Sequence, residues 1–89
     1  MTLNRAVALA EVHGPRAGLA LLATLDDDER LASGHRLPAV RAHLLETAGE
    51  PAAAYAAYHL AARRALSRPE HRYLTRRAQR LADGNPPAS

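Results

Sequence analysis

The chain has no cysteine, no tryptophan and no phenylalanine, and all twelve of its Lys and Arg positions are arginine. Without thiols there are no disulfides and no thiolate metal centres, which fits a reducing cytoplasm. Without large aromatics, the core must be built of Leu, Val, Ala and the three tyrosines. Long apolar runs are lacking as well. None approaches the ~20 residues of a membrane span, and Arg5, Glu11 and His13 interrupt the compact apolar segment of a secretory leader. The expectation is a cytoplasmic protein with one small domain. At 89 residues, such a domain buries roughly 60–65% of its unfolded surface.

Catalytic and metal-binding patterns are also missing. Serine occurs only at positions 33, 67 and 89, each placed to read as a turn, a cap or a tail, so no nucleophile is paired with a base. His13, His35, His43, His59 and His71 form no H-x3-H or H-E-x-x-H pair. The acidic run Asp26, Asp27, Asp28, Glu29 lacks the alternating ligands, central glycine and distal glutamate of a calcium loop. The chain is expected to be no enzyme, with no cofactor and no metal.

What is present is helix-forming residue content. Leu3, Val7 and Ala10 recur at helical spacing over 3–14, closed by Gly14. Pro15 opens a second helix to about Leu25, with Leu19, Leu22 and Leu25 inward. The acids at 26–29 oppose the helix dipole at a C-terminus, so they read as a loop that continues through Ser33-Gly34 to about His35. A third helix spans about Leu37 to Ala48, with Leu37, Val40, Leu44 and Leu45 inward and Gly49 closing it. Pro51 opens a fourth, to about Leu66. Ser67 and Glu70 have capping-box spacing ahead of a fifth helix to about Ala82, with Tyr73, Leu74, Ala78 and Leu81 on one face. Residues 83–89 read as a disordered tail.

An offset of 35 aligns Leu9 with Leu44, Glu11 with Glu46, Gly14 with Gly49 and Ala17 with Ala52. A period near 34 built of two helices is the tetratricopeptide pattern. Ala54, Tyr58 and Ala61 follow it best: small residues let two antiparallel helices approach, and Tyr58 fills the gap to the next helix. Leu19, Ala23 and Asp26 in the first copy depart from it, as do Pro38, Arg41 and Leu66 in the second. The expected architecture is all-α, a right-handed stack of antiparallel helical hairpins of about five helices.

The stretches 3-LNRAVALAEVHGPRAGLALL-22, 37-LPAVRAHLLETAGEPAAAYAAYHLA-61 and 69-PEHRYLTRRAQRLA-82 closely resemble the C-terminal tetratricopeptide-like extension of bacterial extracytoplasmic-function RNA polymerase sigma factors. The resemblance implies an accessory domain that assists transcription initiation by contacting the sigma core or polymerase. The promoter-melting and promoter-reading regions of that family have no counterpart here, and no helix-turn-helix is visible. The chain is not expected to read promoters by itself. A stand-alone, self-associating helical scaffold remains the alternative, because two and a half repeats fall short of the three that stability usually needs.

Two surfaces stand out as candidates. In stacked hairpins the first helix of each pair lines a concave face, which would present Asn4, Ala8, Glu11, Arg36, His43 and Glu46 to a protein partner. The net charge of +3 is lopsided: residues 1–50 carry five Arg and seven acids, residues 51–89 seven Arg and two acids. Arg64, Arg68, Arg72 and Arg76, with Arg63, Arg77 and Arg80, would form a basic docking face. Tyr73 is the one aromatic among them and has core spacing, so direct nucleic-acid binding is not expected.

Overall fold

The computed structural model describes residues 2–28 and 34–82. These form α1 (Thr2–His13), α2 (Pro15–Ala23), α3 (Arg36–Thr47), α4 (Pro51–Arg64) and α5 (Arg68–Ala82), with no strand among the described residues. The architecture is an all-α stack of helical hairpins. Its extents are 33 × 30 × 18 Å, so the slab is about two helix diameters thick. The expected loop positions 29–33 and the tail 83–89 lie outside the described residues.

The two hairpin bends are made differently. At Gly14, φ is +99°, and its N–H donates to the Ala10 carbonyl before Pro15 starts α2 directly. The second bend takes three residues. Gly49 has φ +82°, its N–H reaches the Glu46 carbonyl, and the Glu50 N–H reaches the Leu45 carbonyl, the paired bonds of a Schellman cap. Helix α2 stops at Ala23, two residues short of expectation, and the chain continues in tight turns through Asp27. The acids at 26–28 therefore stand beyond the helix end, as the dipole requires.

Buried positions superpose at an offset of 36 rather than 35. Ala6 and Ala42 are fully buried, Gly18 and Ala54 are both buried, and Leu22 and Tyr58 are both buried, each pair 36 positions apart. Pro15 and Pro51 keep the same interval as first helical residues. The bend glycines fall out of this register, because the second bend is longer. Ala42 and Ala78 repeat the interval again, so α5 enters as the first helix of a third unit.

Ala54, Tyr58 and Ala61 are buried together with Ala42, Ala57, Ala62, Leu74 and Ala78. Ala6, Leu22, Leu37 and Leu44 form a second cluster, flanked by Leu3, Ala10, Leu19, Leu25 and Val40. At the seam of the first hairpin a glycine takes the alanine's place. A Cβ on Gly18 would lie 2.6 Å from the Ala6 carbonyl oxygen and 2.8 Å from Leu44 Cδ1, so only glycine lets the helices meet there.

Tyr73 does not join the core as its spacing suggested; it is 57% exposed. It sits one turn before Arg77, and the guanidinium carbon lies 5.9 Å from its ring centre. A position flanking that cation satisfies the ring without burial. The capping box at α5 is half formed. The Glu70 N–H donates to Ser67 Oγ at 3.3 Å, while the Glu70 carboxylate accepts from the Ser67 hydroxyl instead of its backbone N–H.

Candidate partner-docking surface

Among the described arginines, Arg41 and Arg77 are locked into the stack, whereas Arg63, Arg68, Arg72 and Arg76 stand open. Arg41 donates to Asp26 Oδ1 at 2.6 Å and to the Leu22 carbonyl at 3.4 Å, tying α3 back to the end of α2. Arg77 donates to Glu46 Oε1 at 2.8 Å and to the Tyr58 hydroxyl at 3.2 Å, with its guanidinium carbon 5.5 Å from the Tyr58 ring centre. The Tyr58 hydroxyl also donates to Glu46 Oε1 at 2.9 Å. This cluster pins α5 to both helices of the second hairpin.

Its electrostatics follow from partial burial. Burial alone would raise the Glu46 pKa; the hydrogen bonds from Tyr58 and Arg77, with the charges of Arg77 and Arg80, outweigh it and hold the carboxyl below its ordinary value. Burial and the neighbouring Glu46 carboxylate push the Tyr58 phenol up to about 12, against the opposing pull of Arg77. Arg77 is raised despite its burial, by Tyr58 and Glu46. Glu46 was expected on an open concave face, yet its carboxylate is held within the fold. Asn4, Ala8, Glu11, Arg36 and His43 are exposed, whereas Glu46 is half-buried and bonded to Tyr58 and Arg77.

A groove of about 700 Å³ opens elsewhere, between the C-terminal end of α4 and the outer face of α5. Arg68, Arg72 and Arg76 line it one helical turn apart, with Arg63 and Leu66 opposite them. None of its lining residues is acidic. Leu66 is 91% exposed, the most exposed large apolar side chain among the described residues. Of Arg63 and Arg64, both expected on this face, Arg63 lines the groove and Arg64 does not. The wall is held by His71, whose Nδ1 lies 2.8 Å from the Ala62 carbonyl; a carbonyl only accepts, so Nδ1 carries the proton. His35 Nε2, 3.0 Å from Glu70 Oε2, ties the starts of α3 and α5 together.

Sequence reasoning missed the internal use of Glu46 and Arg77, and it missed Gly18. The i, i+4 spacing of Arg68, Arg72 and Arg76 was a sufficient signal for the open stripe. Among the described residues no cluster of His, Cys, Asp or Glu could hold a metal ion, and no helix is long and apolar enough to cross a membrane. Comparison with protein-family models, with characterised proteins and with solved structures finds no match to this chain.

Proposed function

We propose that this chain is a non-catalytic protein-interaction module, acting as an accessory domain of a bacterial RNA polymerase sigma factor through contacts with the sigma core or polymerase. The sequence resemblance motivates the transcription role. The observation that carries the interaction role is the open arginine groove. Arg63, Arg68, Arg72 and Arg76 have no ion pair or hydrogen bond among the described residues. Like charges at i and i+4 on a helix are unfavourable by roughly 0.2–0.5 kcal/mol per pair, and Arg68 and Arg72 also lie near the positive end of α5. A stripe kept at that cost suits a partner that brings negative charge. The exposed Leu66 beside it offers an apolar anchor, which favours an acidic protein segment over a nucleic-acid strand. No tyrosine lines the groove to stack a base.

The test is retention of purified bacterial core polymerase, or of sigma core regions supplied separately, on the immobilised chain. Micromolar binding is expected, weakened by raising salt and lowered at least tenfold by Arg72→Glu with Arg76→Glu. Absence of binding to either at micromolar concentration overturns the reading, as does retention that the double variant leaves intact.

A further inference from the structure

The arginine groove has two unlike walls. Along α5, Arg68, Arg72 and Arg76 are all exposed and stand four residues apart, about 6 Å of rise at each step. Across from them, Ala62, Ala65 and the exposed Leu66 supply an apolar margin at the end of α4. No acidic residue lines the groove to compete for the arginines. An occupant that fits both walls is amphipathic across its width, with carboxylates on one side and an apolar residue on the other.

Spacing alone does not give its conformation. Side chains three or four residues apart on a helix are separated by about 4.5–6 Å along its axis, and neighbours on one face of a strand by about 6.6 Å. Arginine side chains reach either. The backbone makes the difference. An extended segment depends on the surface beneath it to pair its amides and carbonyls. Both walls here are helices, and no strand edge exists among the described residues. Even a carbonyl in the last turn of α4 is taken: Ala62 accepts from the Ala65 N–H at 3.2 Å and from His71 Nδ1 at 2.8 Å. A helix arrives with its backbone already paired. Like charges one turn apart disfavour the α5 stripe, and they disfavour a carboxylate stripe on a free helix in the same way. Laid together, each stripe relieves the other.

We propose, on the reading of this groove as a docking surface, that its occupant is an acidic amphipathic α-helix. Its carboxylates recur every third or fourth residue and face Arg68, Arg72 and Arg76, while an apolar side chain beside them packs on Leu66. Because its carboxylates repel one another, the segment is unfolded alone and becomes helical as it docks.

Two synthetic peptides of about 15 residues test it against the full chain at physiological salt. The first carries Glu at i, i+4 and i+7 with Leu at i+3. The second keeps these residues and their charge but has proline at i+2 and i+5, which blocks the helix. Fluorescence anisotropy is expected to give the first a Kd on the order of 10–100 µM, with circular dichroism showing helix gained on binding. The second binds at least tenfold more weakly. Arg72→Glu weakens the first at least tenfold, and Lys in place of that peptide's middle Glu restores binding to within about fivefold, which no general loss of folding would do. Leu66→Ala weakens the first peptide as well. Equal affinity of the two peptides, no helix gained on binding, or no binding at several hundred micromolar overturns the inference. So does a single-stranded oligonucleotide of equal charge that binds more tightly than the first peptide at the same salt. The transcription role fails separately. Retention of polymerase alongside equal peptide affinities leaves that role and sinks the helix; a bound helical peptide without retention of polymerase does the reverse.

Discussion

The two hairpins share a register but are held by different forces. The first is sealed by shape alone: Gly18 against the Ala6 backbone, with Leu22 fully buried behind it. The second replaces glycine with Ala54 and leucine with Tyr58, whose hydroxyl then requires a polar partner. Glu46 and Arg77 meet that demand, and through Arg77 the third unit is fastened on. Exchanging one buried apolar residue for a tyrosine thus turns a hairpin seam into a junction among three helices. Aliphatic packing gives no such directional link.

The largest expected effect is at Tyr58. Tyr58→Ala opens a cavity and strips Glu46 and Arg77 of a shared partner, for a loss of about 3–5 kcal/mol in urea unfolding followed by circular dichroism. Leu22→Ala, its counterpart in the first hairpin, should cost about 2–5 kcal/mol without detaching α5. Equal loss of α5 protection from hydrogen exchange in the two variants would break the contrast.

Next comes Gly18→Ala. The atom nearest the new methyl is a backbone oxygen, which cannot swing aside as a side chain does. We expect about 1–3 kcal/mol of destabilisation, where Ala54→Gly, the reverse exchange in the second hairpin, should cost about 0.5–1 kcal/mol.

The polar cluster gives the second hairpin a dependence on pH. The Glu46 pKa is lower in the folded protein than its ordinary value of 4.5. Its contribution is present above that value and fades as pH falls through the folded pKa. The Tyr58 pKa is raised from 10.0 to about 12, so its contribution is present below 10 and fades as pH rises through 12. Glu46→Gln should flatten the acid limb of stability against pH, and Tyr58→Phe the alkaline limb, with Tyr58→Phe costing about 1 kcal/mol at neutral pH. The smallest effect is expected in the arginine stripe. Arg72→Glu with Arg76→Glu should change stability by no more than about 0.5 kcal/mol.

Much of this stack was legible in the sequence, because helical periodicity and bend glycines are local signals. Pro15, Pro51, Gly14 and Gly49 mark bends that the structure places where the residues implied. The seam at Ala54, Tyr58 and Ala61 was readable from spacing. The register was not, because the offset of 35 was anchored on glycines whose bends differ in length. Gly18 escaped notice since a glycine inside a helix carries no periodic signal and takes its meaning from a backbone on another helix. Glu46 and Arg77 read as surface charges; their pairing across 31 positions depends on the angle at which α5 crosses the second hairpin. Of the two arginines expected at the end of α4, Arg63 lines the groove and Arg64 does not.

The division of the arginines is the claim on which the rest depends, and NMR of the arginine side chains reads it directly. Relaxation of the Nε–H groups and solvent exchange of the Nη–H groups should show Arg41 and Arg77 ordered and slow to exchange, with Arg63, Arg68, Arg72 and Arg76 mobile and fast. Uniform behaviour across these six side chains, or an ordered Arg72 beside a mobile Arg77, would contradict the account.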